Sequence, residues 1–233
     1  SEDELSNISF KIEKGQTLAI IGATGSGKTT LISLIPRFYD ATEGEVLVDG
    51  VNVKNYKFDT LYDKLGYVTQ KAVLFAGSIR ENVFFGESAA PESDEELKNA
   101  IELSQAEEFV DKLPDGTEHM ISQMGRNVSG GQKQRLSIAR ALSRKPEILV
   151  FDDSFSALDY KTDAKLREGL NEKLKDTTKI IVAQRISTIR HADKIIVLDR
   201  GEAVGMGTHE ELMKSCDVYK EIALSQLSAA ELA

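Results

Sequence analysis

A glycine-rich stretch, GATGSGKT at Gly22–Thr29, decides the fold of this chain of 233 residues. It follows the apolar run TLAIIG at Thr17–Gly22 and opens a segment with helical periodicity, which is the context that the pattern G-x-x-x-x-G-K-[ST] requires. The glycines free the backbone to turn its N–H groups toward phosphate oxygens, Lys28 supplies a positive charge, and Thr29 offers a hydroxyl to Mg²⁺. The stretch therefore predicts a nucleoside-triphosphate loop, typical alike of small kinases, GTPases and transport ATPases.

Segments with strand and helix patterns alternate on both sides of this loop. A helix is predicted over Lys28–Ile35, where Pro36 stops it. Short strands follow at EVLVDG and LGYVTQ, and apolar strands return after Pro146 at ILVFDD, KIIVAQ and KIIVLD. GEAVGMG at Gly201–Gly207 predicts a returning edge strand, and helices from Thr208 onward complete the core. This alternation favours an α/β fold with a mostly parallel sheet.

The middle of the chain has a different, helical character. Over residues 78–142 there are few β-branched runs. SDEE at Ser93–Glu96 predicts a capping box, and the apolar spacing within Leu97–Ile101 is that of an amphipathic helix. We therefore expect the whole chain to be one domain, in which a core of residues 1–77 and 143–233 is interrupted by a helical subdomain.

Composition and apolar patterning argue against nucleic acid as the main partner, an internal disulfide and a membrane span within this sequence. The net charge of -9 and the pI of about 5.0 argue against nucleic acid as a partner, because phosphate binding usually requires a basic face. The single cysteine, Cys216, is interpreted as a reduced thiol. No apolar run approaches the roughly 18 residues of a membrane span, and Ser1–Phe10 lacks the basic start of a signal peptide. In a membrane process, we expect the spanning part to lie outside this sequence.

A second anion-binding element is predicted at NVSGGQKQRLSIARAL, which runs from Asn127 to Leu142. Ser129 stands at the N-cap position, two glycines follow, and an amphipathic helix continues from them. A serine and bare backbone at a helix N-terminus form an anion site. One nucleotide does not need two such sites, so we expect the second to close over the nucleotide of another copy or partner.

Together these elements resemble the nucleotide-binding domain of ATP-binding cassette (ABC) transporters, and the resemblance covers almost the whole chain. The signature reads VSGGQ at Val128–Gln132, with valine where the family usually has leucine. LFAGSIRENVFFG at Leu74–Gly86 is similar to exporter-type cassettes, where this region lies near the membrane domain. The resemblance implies a P-loop NTPase core with a mostly parallel sheet, a small antiparallel β part and an inserted helical subdomain, with ATP and Mg²⁺ as ligands.

The resemblance also assigns site residues. The chain's own nucleotide is expected at Gly22, Thr24, Gly25, Ser26, Gly27, Lys28, Thr29, Thr30 and Gln70. Mg²⁺ is expected at Thr29, Gln70 and Asp152. The nucleotide of a partner is expected in trans at Ser129, Gly130, Gly131 and Gln132 and at Asp159 of the D-loop SALD. Taken alone, Gln70 is also explained by a surface amide and Asp159 by a helix cap.

Two positions depart from the family pattern. Asp153 stands where the family has the glutamate that acts as base or positions water, and it is shorter by one methylene, about 1.5 Å of reach. A displacement of about 1 Å in a catalytic group can cost roughly a hundredfold in rate. Gln184 stands at the position of the switch histidine, and an amide does not titrate near neutrality. We therefore expect a site that holds ATP and hydrolyses it slowly.

This combination resembles the degenerate half of a heterodimeric ABC exporter. It implies a second nucleotide-binding domain on a different chain, a transmembrane domain, no nucleic acid, and a place at the cytoplasmic face of the cell membrane. One alternative is a soluble ABC-type ATPase of the DNA-repair or chromosome class, disfavoured because the interval from Gln70 to Ser129 holds only short helices. The other is a regulatory module that never hydrolyses ATP.

Three further expectations concern aromatic and histidine residues. In the family an aromatic residue upstream of NISF stacks on adenine, so we expect that residue to lie before the first position printed. Phe10 is predicted to lie in a strand. His191 and His209 are interpreted as helix caps or surface groups, neither of which replaces the switch histidine.

Overall fold

The computed structural model describes residues 4–227, along which strands and helices alternate. The strands are β1 (Thr17–Gly22), β2 (Leu47–Val48), β3 (Val51–Asn52), β4 (Leu65–Val68), β5 (Gly77–Ser78), β6 (Met120–Ile121), β7 (Ile148–Asp152), β8 (Thr178–Val182), β9 (Lys194–Asp199) and β10 (Glu202–Gly207). The helices are α1 (Lys28–Ser33), α2 (Phe58–Lys64), α3 (Ile79–Val83), α4 (Asp94–Leu103), α5 (Glu107–Val110), α6 (Gly130–Ser143), α7 (Tyr160–Lys173), α8 (Ile186–Ile189), α9 (His209–Ser215) and α10 (Asp217–Gln226). Single 3-10 turns lie at Val53–Asn55, Gly116–Glu118 and Gln123–Gly125.

The described residues form two compact units, of which one comprises residues up to 62 together with those from 178. Its strands follow the order β10-β9-β1-β8. β1 is parallel to both neighbours, with Ile20 opposite Val182 of β8 and Ile196 of β9, and β10 is antiparallel to β9. The apolar residues of β1 and β9 are buried, as expected of parallel strands covered on both faces. The carboxyl ends of β1 and β8 therefore lie side by side.

The other unit comprises residues 63–177. In it β4 and β7 pair in parallel, with Val68 opposite Phe151. Helix α6 packs against α3 and α4, and the apolar stripe of α4 within Leu97–Ile101 is buried, as its spacing predicts. A short antiparallel pair, β5 with β6, joins Gly77 to Ile121. The α/β fold with mostly parallel strands, small antiparallel parts and helices is confirmed.

Four local predictions differ from the structure. EVLVDG is a strand only at Leu47–Val48, and its Asp49 and Gly50 form the turn of a hairpin with Val51–Asn52; both have positive φ, 52° and 75°, as a two-residue Asp-Gly turn requires. The helix after the glycine loop ends at Ser33 and not at Ile35. The capping box at SDEE is half formed. Phe10 lies in a stretch without regular structure.

The half-formed capping box has an identifiable cause. Ser93 Oγ accepts a hydrogen bond of 3.2 Å from the backbone N–H of Glu96, which is the serine half of the motif. The carboxylate of Glu96 is paired instead with the ammonium of Lys145, so it does not return to the backbone of Ser93. A long-range ion pair has therefore replaced the local contact that the sequence predicts.

The helices are too short to be membrane spans. A spanning helix needs roughly 20 mostly apolar residues. The two helices α6 and α7 have 14 residues each and carry many polar side chains. No helix within residues 4–227 has the length and apolar character needed to cross a bilayer.

Candidate functional site

The glycine-rich loop after β1 closes around the ammonium of Lys28. Lys28 Nζ donates hydrogen bonds to the carbonyl oxygens of Gly22 and Ala23, both at 2.8 Å, and lies 3.4 Å from Ser26 Oγ. The backbone N–H of Ser26 donates to the Ala23 carbonyl at 3.1 Å, which tightens the turn. A cation thus lies within a turn of backbone, the arrangement that attracts phosphate oxygens.

The glycines of this loop are required for different reasons. A Cβ on Gly22 would lie 2.2 Å from the backbone oxygen of Leu198 in β9 and 2.6 Å from Ser26 Oγ, so no side chain fits there. Gly25 and Gly27 have φ of +79° and +100°, in the region that favours glycine. Gly27 is the residue that precedes α1, and no side chain caps this helix. Close packing thus requires Gly22, and backbone conformation requires the other two.

The threonines that we predict to bind nucleotide or metal lie in the loop and in the first turn of α1. Thr24 is exposed in the loop, Thr29 is exposed in the helix, and Thr30 is half-buried. The carbonyl of Thr29 accepts a hydrogen bond of 2.6 Å from Ser33 Oγ. All three threonines therefore lie within four residues of Lys28 in the sequence.

Gln184, which we predict to stand at the switch position, follows β8 in the same unit as the glycine loop. Because Ile20 of β1 pairs in parallel with Val182, Gly22 and Gln184 each lie two residues beyond this pair. The N–H of Ala183 donates to the carbonyl of Ile20 at 3.3 Å, so the pairing continues one residue past β8. The structure thus brings an exposed Gln184 to the same strand ends as the glycine loop, where ligands of parallel sheets bind.

The two aspartates of ILVFDD lie at the end of β7 in the other unit. Asp152 is its last residue and Asp153 follows it, and each is 6% exposed. Asp153 has φ of +50°, which is uncommon for a residue other than glycine. Its Oδ2 accepts a hydrogen bond of 3.1 Å from Nε2 of Gln70, a residue that follows β4. A predicted metal ligand therefore contacts the predicted base position.

Two residues that sequence reasoning did not single out hold this contact in place. Ser154 Oγ donates to the carbonyl of Val68 at 2.9 Å, and Gln134 Nε2 donates to the carbonyl of Thr69 at 3.3 Å. Both carbonyls that precede Gln70 are therefore bonded. Gln134 is 2% exposed on the buried face of α6, and a polar residue on that apolar stripe is the signal that could have found it. No comparable signal marks Ser154.

The second predicted anion site is the capped N-terminus of α6. Ser129 Oγ accepts a hydrogen bond of 3.2 Å from the N–H of Gln132, and Gln132 Oε1 accepts one of 2.9 Å from the N–H of Ser129. This is a complete capping box. A Cβ on Gly130 would meet nothing within 4 Å, whereas one on Gly131 would lie 3.4 Å from the carbonyl of Ala157 in the D-loop. The surface at Gly130 is thus bare backbone.

Asp159 is the N-cap of α7. Its Oδ1 accepts a hydrogen bond of 2.9 Å from the N–H of Thr162, and its Oδ2 accepts one of 2.7 Å from the hydroxyl of the same residue. These bonds, the backbone one first, lower the pKa of the Asp159 carboxyl. The helix-cap role is therefore present. Because Asp159 is also exposed, a second molecule can reach the same carboxylate.

The predicted Mg²⁺ donors are all oxygen atoms, from the hydroxyl of Thr29, the amide of Gln70 and the carboxylate of Asp152. Oxygen is the donor that Mg²⁺ prefers, and this ion usually keeps waters and phosphate oxygens in the rest of its shell. Among residues 4–227 no group of three or more His, Cys, Asp or Glu is placed to hold a metal ion. Each of the three groups is therefore of the donor type that Mg²⁺ accepts.

Comparisons with known proteins identify the family of this chain. The family described as ABC transporter matches residues 5–156. An uncharacterized ABC transporter ATP-binding protein of Mycobacterium bovis (strain ATCC BAA-935 / AF2122/97) is 46% identical over 229 residues, which cover 97% of this chain and 39% of that protein. A protein of Staphylococcus aureus (strain NCTC 8325 / PS 47), which carries the name of a multidrug export ATP-binding/permease protein, is 44% identical over 94% of this chain and 37% of its own length.

The fold is also that of one part of a solved exporter chain. A structure of a bacterial Atm1-family ABC exporter with ATP bound matches with a TM-score of 0.90 and 36% identity, over 95% of this chain and 39% of that one. This chain thus spans less than half the length of these proteins. The chain belongs to the ABC transporter family, as a nucleotide-binding domain of the exporter type.

Proposed function

We propose that this chain binds MgATP and drives a membrane exporter together with a second nucleotide-binding domain. The observation that carries the proposal is the presence in one chain of two separate anion sites, the loop closed on Lys28 and the capped, glycine-fronted helix after Ser129. One nucleotide does not need both. In a pair of chains arranged head to tail, each nucleotide would lie between the glycine loop of one chain and the start of α6 of the other.

In its own site, the chain would bind the phosphates through the loop backbone and the ammonium of Lys28, with Gly22, Thr24, Gly25, Ser26, Gly27, Thr29 and Thr30 around them. Thr29, Gln70 and Asp152 would hold Mg²⁺, which neutralises charge on the phosphate oxygens when bound. Lys28 supplies the positive charge of the loop, and the hydrogen bond from its ammonium to the carbonyl of Ala23 holds that charge inside the turn. Burial of Asp152 at the end of β7 fixes its carboxylate.

In the partner's site, the chain would contribute the residues at the start of α6. Ser129, Gly130, Gly131 and Gln132 offer backbone N–H groups and a hydroxyl to a nucleotide held by the other chain. Asp159 would cross the same interface from the D-loop. Support comes from the open backbone at Gly130 and from the position of Gly131, where an added Cβ would lie 3.4 Å from the carbonyl of Ala157 in the D-loop. We propose that the segment 78–142 is the helical lobe that presents these groups.

Hydrolysis in the chain's own site would be slow, because the groups that handle the attacking water are altered. The carboxylate of Asp153 is short and is hydrogen-bonded to Gln70. A base must come within hydrogen-bond distance of the proton that it takes. Gln184 can donate a hydrogen bond to a terminal phosphate, but its amide does not exchange protons near neutrality. The working base would then lie on a different polypeptide, as in a heterodimer.

The transmembrane part of the exporter would be supplied by other segments of the transporter. The similar exporters are more than twice as long as the matched segment, so a transmembrane domain is proposed to join this chain at the cytoplasmic face of the cell membrane. Closure of the two nucleotide-binding domains over ATP would be the change that moves that domain. The acidic charge of the chain supports a partner other than nucleic acid.

The test is restoration of the two altered positions in the assembled transporter. Asp153→Glu together with Gln184→His should raise steady-state ATPase activity at least about tenfold when the partner's base has been disabled, because reach and a titrating group return together. The matched control is Asp176→Glu, the same chemical change at an exposed position outside the motifs. That control should leave activity unchanged.

Other results would contradict the proposal. Brisk hydrolysis by the unaltered chain through Asp153 would show that its own site is competent. No gain on restoring both residues would show that they do not limit turnover. Binding of MgATP without any turnover, before and after restoration, would identify a regulatory module instead of a slow ATPase.

A further inference from the structure

The backbone of the switch segment is held by one residue of the C-terminal helix. Nε2 of Gln226, at the end of α10, donates a hydrogen bond of 2.8 Å to the carbonyl of Gln184. Oε1 of the same amide accepts a hydrogen bond of 2.8 Å from the N–H of Ile186. Both halves of one side chain thus bond to the switch position and to the residue two places after it, 42 and 40 residues away in sequence.

The amide of Gln226 replaces a local cap that α8 lacks. Arg185 is the N-cap residue of this helix, and its side chain makes no capping hydrogen bond. The N–H of Ile186 belongs to the first turn, whose donors have no partner within the helix. Gln226 supplies the acceptor from a distant element, so the start of α8 is fixed by tertiary structure.

On its other side the switch segment is fixed to the strand that leads into the glycine loop. The N–H of Ala183 donates to the carbonyl of Ile20 in β1 at 3.3 Å. Gln184 is therefore placed between two anchors, β1 before it and Gln226 after it. Loss of Gln226 removes the hydrogen bond to the carbonyl of Gln184, and with it one restraint on the backbone beside the loop that begins two residues after Ile20.

The helix that carries Gln226 is itself firmly placed. Tyr219 and Ala223, on the inner face of α10, are fully buried. The hydroxyl of Tyr219 lies 2.6 Å from Nδ1 of His209 in α9. Gln226 is exposed, so its two hydrogen bonds compete with water and add little net stability to the fold. Their main effect is to fix the position of the backbone at Gln184 and Ile186.

We propose that Gln226 is the positioning residue that sets the place of Gln184 against the terminal phosphate of ATP. This inference rests on the proposed function, which assigns Gln184 to that phosphate. It goes further in naming how the switch position is held, and in linking the C-terminal helix to the nucleotide.

The experiment compares ATP with ADP, because only ATP has the phosphate that Gln184 would contact. The assembled transporter is photolabelled at low temperature with 8-azido-ATP, and label on this polypeptide is measured after gel separation, in competition with MgATP or MgADP. Gln226→Ala and Gln184→Ala should each weaken competition by MgATP about fivefold, the equivalent of one lost hydrogen bond, and leave MgADP unchanged within twofold. Gln226→Ala should add nothing when Gln184 is already alanine.

A second variant identifies which half of the amide matters. Gln226→Glu keeps an acceptor for the N–H of Ile186 but has no donor for the carbonyl of Gln184. Gln226→Glu should weaken competition by MgATP against photolabelling as much as Gln226→Ala does. Ser225→Ala, at the neighbouring exposed position, is the matched control and should behave as the unaltered chain.

Each other outcome has a definite meaning. Weaker MgATP competition in Gln184→Ala but not in Gln226→Ala overturns this inference and leaves the proposed function in place. No change in the ratio of ATP to ADP in either variant overturns the role of Gln184, and with it that part of the proposed function. An equal loss for both nucleotides in Gln226→Ala overturns positioning, because it indicates general damage to the site. Unaltered MgATP competition in Gln226→Glu overturns the role of the Gln226 donor.

Discussion

Nε2 of Gln70 donates a hydrogen bond of 3.1 Å to Oδ2 of Asp153, although the two residues are 83 positions apart. An amide has one donor end and one acceptor end. With the N–H end of the amide turned to Asp153, the oxygen of Gln70 is the atom that the proposed magnesium ion would use. The contact occupies the donor end of Gln70 and one oxygen of Asp153.

The first prediction concerns Asp153→Asn. If Asp153 does not act as a base, removal of its charge should change turnover in this chain's site by less than about threefold, whereas loss of a working base costs roughly 10² to 10⁴. Turnover is measured in the assembled transporter with the partner's base disabled. A hundredfold loss in Asp153→Asn would contradict the assignment of a weakened base. Photolabelling by 8-azido-ATP should be retained in this variant.

The second prediction separates folding from function at Gly130. A Cβ there meets nothing within 4 Å, so Gly130→Ala should leave the free energy of unfolding unchanged within about 1 kcal/mol. It should nevertheless reduce turnover at the partner's site, because the methyl group would lie where that nucleotide approaches the backbone. Urea unfolding of the domain and ATPase activity of the assembled pair are the two measurements. Unaltered activity would show that no nucleotide approaches this surface.

The third prediction concerns Arg140, which joins several parts of the helical region. Its guanidinium donates to the carbonyls of Asn82 and Val73 at 2.7 and 2.9 Å, and lies 5.5 Å from the ring centres of both Phe75 and Phe85. Burial lowers the pKa of Arg140 to about 10, which still leaves it charged at neutral pH.

Arg140→Met should therefore cost about 3 kcal/mol of stability, because the two carbonyls lose their partner inside the protein. Urea unfolding measures this loss. Arg126→Met, at an exposed position before α6, is the control and should remain within about 0.5 kcal/mol of the unaltered chain. A loss equal to that of the control would show that Arg140 is not a structural link.

The fourth prediction concerns pH. Burial lowers the pKa of His209, as do the positive charges of Arg190 and His191, while Glu210 acts in the opposite direction. A lowered pKa means that the folded state holds fewer protons than the unfolded state near pH 6.5. The contribution of His209 to stability is therefore fully present above pH 6.5 and is lost as pH falls through its folded pKa.

Unfolding free energies at pH 5, 6 and 7.5 should consequently fall toward acid in the unaltered chain. The decrease should be smaller in His209→Gln, which can still bond to Tyr219 but does not titrate. His119→Gln is the control. An identical dependence of the unfolding free energy on pH in His209→Gln would contradict this account.

Tyr219 acts in the alkaline range. Burial raises the pKa of its hydroxyl to about 12, so the contribution of Tyr219 to stability is present below pH 10 and is lost as pH rises toward 12.

Strands and helix caps that depend on residues close together in the chain could be predicted from the sequence. The strand predicted at Thr17–Gly22 is confirmed residue for residue, and Ser129 is the predicted N-cap of α6. Both depend on information within a few residues: apolar runs, glycine and a capping side chain. The Asp49–Gly50 turn carried a local hairpin signal as well, which the continuous strand prediction overlooked.

Contacts between distant segments could not be read from spacing. The hydrogen bond from Gln134 to Thr69 joins residues 65 apart, and that from Gln226 to Gln184 joins residues 42 apart. His209 illustrates the same limit, since a residue interpreted as a cap or surface group is bonded to the buried Tyr219. Such pairs depend on how elements pack, which a single sequence does not encode in any periodicity.

If the start of α6 binds a partner's nucleotide, as we propose, the capping box at Ser129 has a consequence for the entropy of that docking. The serine oxygen already accepts from Gln132, so its hydroxyl hydrogen is the part left to offer an incoming phosphate. Docking of a partner's nucleotide would add a bond without breaking the cap. The receptor surface is in this sense preorganised, and little conformational entropy need be lost at the moment of closure.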